Sequence, residues 1–200
     1  IRAVVRREMA MPTAGWENLY RLAGSAERVL LVAFKQDSLK YLTGKSLAEV
    51  ATLRGKSPEE TAMDLVVQDD SRVGAVYFLM SEDNVRRQVA LPWMSFDSDE
   101  GSQAPEGVFL KSNPHPRAYG NFARLLGRYV RETHALSLIE ALRKMTLLPA
   151  QRLEARVPAM RQKGRLRAGA DADIVIFDPA TVIDRSTYRE PSLPPLGIQH

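Results

Sequence analysis

The chain has 200 residues, 44% of them hydrophobic and 26% charged, with no cysteine and 12 each of glycine and proline. That composition excludes a disordered, collagen-like or disulfide-framed polypeptide and suits one domain, or one with a small second. The net charge is +4, yet the one dense basic run, Arg161, Lys163, Arg165 and Arg167, carries no interleaved aromatics, so no nucleic-acid partner is expected. No apolar run approaches the roughly 18 residues of a membrane helix, so no membrane partner is expected either. The lack of cysteine fits a reducing compartment, the cytoplasm, and Ile1 in place of an initiating methionine reads as a truncated chain.

In chain order, residues 29–34 (VLLVAF) form a β-branched apolar run suited to a buried strand. Ser46 and Glu49 make a capping box ahead of Leu47, Val50 and Leu53, with Gly55 as the left-handed stop. Ser57, Pro58 and Glu60 then occupy the N-cap, first and third positions of a second helix. Residues 73–80 and 93–96 read as apolar strands on either side of a helix over 81–90, capped by Ser81 and ended by Pro92. That order predicts a parallel sheet covered by helices, with ligands at the carboxyl ends of its strands. Asp97, Ser98, Asp99 and Glu100 follow the second of those strands.

A polar loop leads to an amphipathic helix over about 119–132, whose apolar stripe is Phe122, Leu125, Leu126, Tyr129 and Val130. Ser137 and Glu140 start the next helix, with Leu138, Leu142 and Met145, and Pro149 interrupts it and begins another. After about Val157 the texture changes, and residues 172–178 (ADIVIFD) read as a strand of a second, β-rich unit. The tail, with Pro191, Pro194, Pro195 and Gly197, reads as a loop.

Four strings carry a resemblance: SDEGS (98–102), HPRAYGNFARLLGRYVRE (115–132), LSLIEALRKMTLLPAQRL (136–153) and GRLRAGADADIVIFDPATVIDR (164–185). Together they resemble the C-terminal part of the N-acyl-D-amino-acid deacylase (D-aminoacylase) family of the amidohydrolase superfamily. The resemblance implies an α/β fold: the C-terminal part of a metal-dependent (β/α)8 TIM-type barrel over residues 1–156, then a segment of a small β-sandwich domain over 157–200. It implies hydrolysis of a linear amide, the N-acyl group of an N-acyl-D-amino acid, using Zn2+.

Within that resemblance Asp99 matches the aspartate that the final barrel strand presents to a metal-bound water. A metal lowers the pKa of its water towards ~7, and a neighbouring carboxylate can take the proton and return it to the leaving amine. Asp99 alternatively reads as a turn-capping loop residue, and Asp97 and Glu100 compete for the role. Asp97 departs from the small residue usual there; on the same face as Asp99, it would let the two carboxylates raise one another's pKa. Arg117 is expected to hold a substrate carboxylate in a two-bond fork, or else to serve a surface salt bridge. His115 is expected at the site mouth, as a loop histidine fixing the chain around Pro116 rather than as a metal ligand.

Tyr77, Phe78 and Met80 either line an acyl pocket or fill the barrel core. The only histidines are His115, His134 and His200, with no His-x-His pair, no HExxH helix and no cysteine. The metal ligands are therefore expected outside this chain, on the missing N-terminal barrel half, and the chain alone is expected to be inactive. Two other readings stand beside this one. The first is a hydantoinase-like or dihydroorotase-like enzyme acting on cyclic amides. The second is a non-catalytic binding module whose basic surface meets an acidic partner.

Overall fold

Ser46 sets the first firm landmark. Its hydroxyl accepts the Glu49 N–H at 3.1 Å while the Glu49 carboxylate accepts the Ser46 N–H at 2.6 Å, satisfying two of the orphan donors that every helix start leaves. Residues 1–199 are described by a computed structural model; His200 lies outside the described residues. Its elements are α1 (Arg2–Ala10), α2 (Leu19–Ala23), β1 (Val29–Ala33), α3 (Leu47–Arg54), α4 (Pro58–Asp69), β2 (Gly74–Tyr77) and α5 (Glu82–Ala90). After these come α6 (Arg117–Arg124), a π-helical continuation (Leu125–Glu132), α7 (Leu138–Met145), α8 (Leu147–Leu153), β3 (Ile176–Phe177) and β4 (Ile198–Gln199). Short 3-10 turns fill several of the connections. Among the described residues no helix is long and apolar enough to cross a membrane.

The chain divides into two compact units. The first comprises residues 1–80 and 106–115, the second residues 81–105 and 116–200.

In the first unit, β1 pairs with β2 antiparallel, Val29 opposite Tyr77 and Ala33 opposite Gly74, with an irregularity between Leu31 and Ala33. Helices α3 and α4 pack beside this ribbon around Leu42, Leu47, Val50 and Leu65, each at most 3% exposed. Burying each such side chain is worth about 1.5–3 kcal/mol. Gly55 ends α3 at φ 61°, the left-handed stop read in the sequence, and the Ser57 hydroxyl accepts the Glu60 N–H at the start of α4. At the other end of α4, the fully buried Asp69 accepts the N–H groups of Lys35 (3.1 Å) and Gln36 (2.8 Å) and the hydroxyl of Ser71. One carboxylate thus ties the exit of β1 to the turn that enters β2.

In the second unit the core is Val89, Ala123, Leu125, Leu126, Tyr129, Ala141 and Val182. The α6 helix begins at Arg117, two residues before the expected start. The buried side of α6 and its π-helical continuation is made by Gly120, Ala123, Leu125, Leu126, Gly127 and Tyr129, whereas Phe122, assigned to the apolar stripe, is 43% exposed. The small residues explain this. A Cβ on Gly127 would lie 2.5 Å from Ile183 Cδ1 and 2.7 Å from the Val182 carbonyl, and one on Gly120 would lie 2.9 Å from Asp184 Cβ. Segment 182–186 therefore rests on a groove that a larger residue would fill.

The expected elements differ from the observed ones in three places. The pairing of 73–80 is antiparallel to β1, not parallel to a following strand. Residues 93–96 belong to no strand among the described residues, although exposure alternates from Trp93 to Glu100 with period two. The segment keeps the two-faced pattern of a strand but no ladder partner takes its backbone groups. Among the described residues the run 172–178 is paired only at Ile176 and Phe177, and Ile174, Val175 and Ile176 are 62–69% exposed. Its partner is Ile198–Gln199, in the tail read as a loop. In each case the apolar pattern was present and the neighbouring strand decided the pairing, which no local pattern encodes.

Candidate active site

The rim of the second unit that follows α5 gathers the charged groups singled out in the sequence. Asp99 holds φ 50°, a left-handed conformation that aspartate tolerates better than most residues. Its side chain is 85% exposed. Arg117, in the first turn of α6, reaches back to it twice. One terminal guanidinium nitrogen lies 3.0 Å from the Asp99 carboxylate and donates at 3.1 Å to the Asp99 carbonyl. The Nε of the same fork lies 3.4 Å from Glu100, whose side chain is only 16% exposed and accepts a hydrogen bond from Gln103 at 3.3 Å. Asp97 shares the outward face with Asp99 in the alternation, and its carbonyl accepts the Asn121 side-chain N–H at 3.0 Å.

The structure thus brings Asp99, Glu100 and Arg117 together. His115 is half-buried and belongs to the first unit. Tyr77 packs on the first unit's core, where burial pushes its phenol pKa up, while Met80 is 76% exposed. Among the described residues no group of three or more His, Cys, Asp or Glu side chains could hold a metal ion.

Sequence reasoning missed Lys144. It is 1% exposed, its ammonium donates to the Val89 carbonyl, and it stands 5.2 Å from the centre of the Phe96 ring. Burial pulls its pKa down, while Glu140 opposes that shift. The hydrophobic pattern of the helix assigns a lysine to the solvated side, so only its position between Ala141 and Met145 on the inner stripe hinted at burial.

The amidohydrolase family matches residues 14–198, and the chain belongs to that family. It is 41% identical over 157 residues to N-acyl-D-glutamate deacylase of Alcaligenes xylosoxydans xylosoxydans, and 39% identical over 157 residues to the D-aminoacylase of the same organism. Each alignment covers 78% of this chain and 29% of the relative. Among solved structures it is similar to N-acyl-D-glutamate deacylase from Bordetella bronchiseptica complexed with zinc and a phosphonate mimic of the tetrahedral intermediate. The TM-score is 0.72 at 34% identity, covering 90% of this chain and 34% of that one. A D-aminoacylase crystal structure matches with a TM-score of 0.70 at 29% identity, covering 99% of this chain and 40% of that one. The kinship with D-aminoacylases expected from the four strings is borne out, and the chain spans about three-tenths of the length of the curated relatives it matches.

Proposed function

We propose that this chain forms the carboxyl-side part of a zinc-dependent hydrolase that removes the N-acyl group from N-acyl-D-amino acids, with Asp99 as general base and then general acid. The observation that carries the reading is the Asp99–Arg117 pair. It sets a carboxylate in a left-handed conformation, 85% exposed on a rim, 3.0 Å from a guanidinium. A proton shuttle needs solvent access and a fixed origin, and non-glycine residues held in sparsely populated backbone regions cluster at functional sites. In the reaction the Asp99 carboxylate takes a proton from the attacking water as the water oxygen bonds to the amide carbon. It returns that proton to the nitrogen as the C–N bond breaks, leaving a carboxylic acid and a free amine.

Arg117 serves the substrate. Its fork is shared between Asp99 and Glu100 in the chain as it stands, so an arriving α-carboxylate takes up one arm of the fork in place of Asp99, which is left free for proton transfer.

The described residues do not by themselves fit a zinc ion. Its ligands are assigned to residues beyond those described, on the amino-side part of a (β/α)8 barrel. Residues 1–156 are assigned to that barrel and 157–200 to a small β-sandwich. The cytoplasm, a reducing compartment, suits the cysteine-free sequence.

The test is a substrate panel assayed with a metal-loaded, active enzyme that contains this chain. N-acyl-D-amino acids should turn over at least ~100-fold faster in kcat/KM than their L-isomers or hydantoins, a difference of about 2.7 kcal/mol in transition-state binding. Equal rates on hydantoins would favour the cyclic-amide reading instead.

A further inference from the structure

The segment that bears Asp99 has no strand to hold it. Among the described residues, the backbone hydrogen bond made within residues 91–100 is a turn, from the Met94 N–H to the Leu91 carbonyl at 3.3 Å. What fixes the segment are side chains from two helices later in the sequence, each donating to a main-chain carbonyl. On the α7 side, Lys144 donates to Val89 and Arg143 to Pro92 at 2.8 Å. On the α6 side, Asn121 donates to Asp97 at 3.0 Å and Arg117 to Asp99 at 3.1 Å. These four donors do along one edge what a neighbouring strand does in a sheet: they satisfy carbonyls and set the register.

Three of the four are not drawn into the proposed chemistry, and of these Lys144 and Asn121 act nearest the two ends of the reach to Asp99. Lys144 is anchored at the carboxyl end of α5, where helix carbonyls carry partial negative charge. Its ammonium also faces the Phe96 ring, three residues before Asp99, at 5.2 Å. Lys144 is 1% exposed, so its ammonium has exchanged hydration for these contacts and has little freedom to leave them. Asn121 holds the carbonyl two residues before Asp99.

We infer that Asn121 and Lys144 are positioning residues: they hold the carbonyls and the Phe96 ring of the 89–99 segment so that the Asp99 carboxylate stays aligned with the reacting amide. The inference rests on the acid–base reading of Asp99. A misplacement of about 1 Å at a reacting group costs up to about 100-fold in rate, so a loosened segment lowers turnover without altering the chemistry available.

The chain has no cysteine, so Ser95→Cys, at an exposed position in the middle of the segment, accepts a single nitroxide label. With otherwise native sequence the label should give one slow-motion spectrum. Asn121→Ala and Lys144→Met should each add a fast-motion component. In an active, metal-loaded enzyme containing this chain, Asn121→Ala should lower kcat about tenfold with KM held within about twofold.

If Lys144→Met fails to fold by circular dichroism, Asn121→Ala carries the test, because it removes one surface hydrogen bond and leaves the core intact. Unchanged label spectra in the folded variants overturn the inference, as does a loss expressed in KM alone. Full turnover of Asp99→Asn would defeat the acid–base reading by itself, while the label spectra would still report whether the two side chains hold the segment.

Discussion

Asp99 and Arg117 are 18 residues apart, and the guanidinium holds both the carboxylate and the carbonyl of the same residue. An exposed pair of this kind is worth only about 0–1 kcal/mol to stability, so its two members are free to be judged by chemistry. Arg117→Lys keeps a positive charge but loses the planar fork that matches a carboxylate in two bonds. The expected outcome is a KM for N-acyl-D-amino acids raised by roughly tenfold with a smaller change in kcat, measured by steady-state assay. An unchanged KM would remove Arg117 from the substrate.

At the same scale, the sequence made Asp99, Glu100 and Arg117 legible because charged residues beside turn formers stand out without tertiary knowledge. It left Asn121 and Lys144 unread. Their partners are backbone carbonyls 24 and 55 residues away, and a carbonyl has no side-chain identity to recognise.

Helix starts were the legible part of the elements. Ser46 with Glu49 and Ser57 with Pro58 act within one turn, so the residues that make each cap are also the residues that predict it. Residues 93–96 show the opposite case: their two-faced pattern survives in the alternating exposure, but a strand exists only beside another strand. The groove on α6 and its π-helical continuation was unread for a similar reason, because Gly120 and Gly127 matter through what lies against them. Gly127→Ala would drive a methyl into Ile183 and the Val182 carbonyl, and overpacking of this kind costs about 1–3 kcal/mol. Urea unfolding of the second unit should show that loss, and an unchanged midpoint would contradict the close approach.

Asp64 and Asp69 make the first unit acid-sensitive. The Lys56 ammonium and the Arg2 guanidinium hold the Asp64 carboxyl below the ordinary range. Burial would raise that of Asp69, but the N–H of Gln36, the Ser71 hydroxyl and the N–H of Lys35 outweigh it and hold it low. Both folded values lie below the unfolded one of ~3.9. The stability they contribute is therefore present above that pH and lost as the pH falls through the folded values. The urea midpoint, followed by circular dichroism, should drop between pH 5 and pH 3. Asp69→Asn should be less stable at neutral pH, by roughly 1–3 kcal/mol, and less steep in that window. A variant as acid-sensitive as the native chain would contradict the role given to Asp69.

For the molecule as a whole, each unit has its own core, yet large apolar side chains remain outside both. Trp16, Met80, Trp93, Val108 and Leu166 are 53–91% exposed, and among the described residues β3 and β4 are paired over only two residues. A self-contained binding module would close such surface; apolar exposure of this extent marks a place of further association, and the chain spans 29% of the curated relatives it matches. The isolated chain should bind a hydrophobic dye and sediment as more than a monomer, whereas a dye-silent monomer would support the module. The central claim is that one carboxylate on this chain moves the proton. The most direct measurement is turnover and metal content of Asp99→Asn in an active, metal-loaded enzyme containing this chain, since asparagine tolerates the same left-handed backbone and keeps the side chain's size while removing the proton-accepting carboxylate. Metal content should be unchanged and kcat should fall by about 10²–10⁴-fold. Native turnover with full metal content would contradict the account.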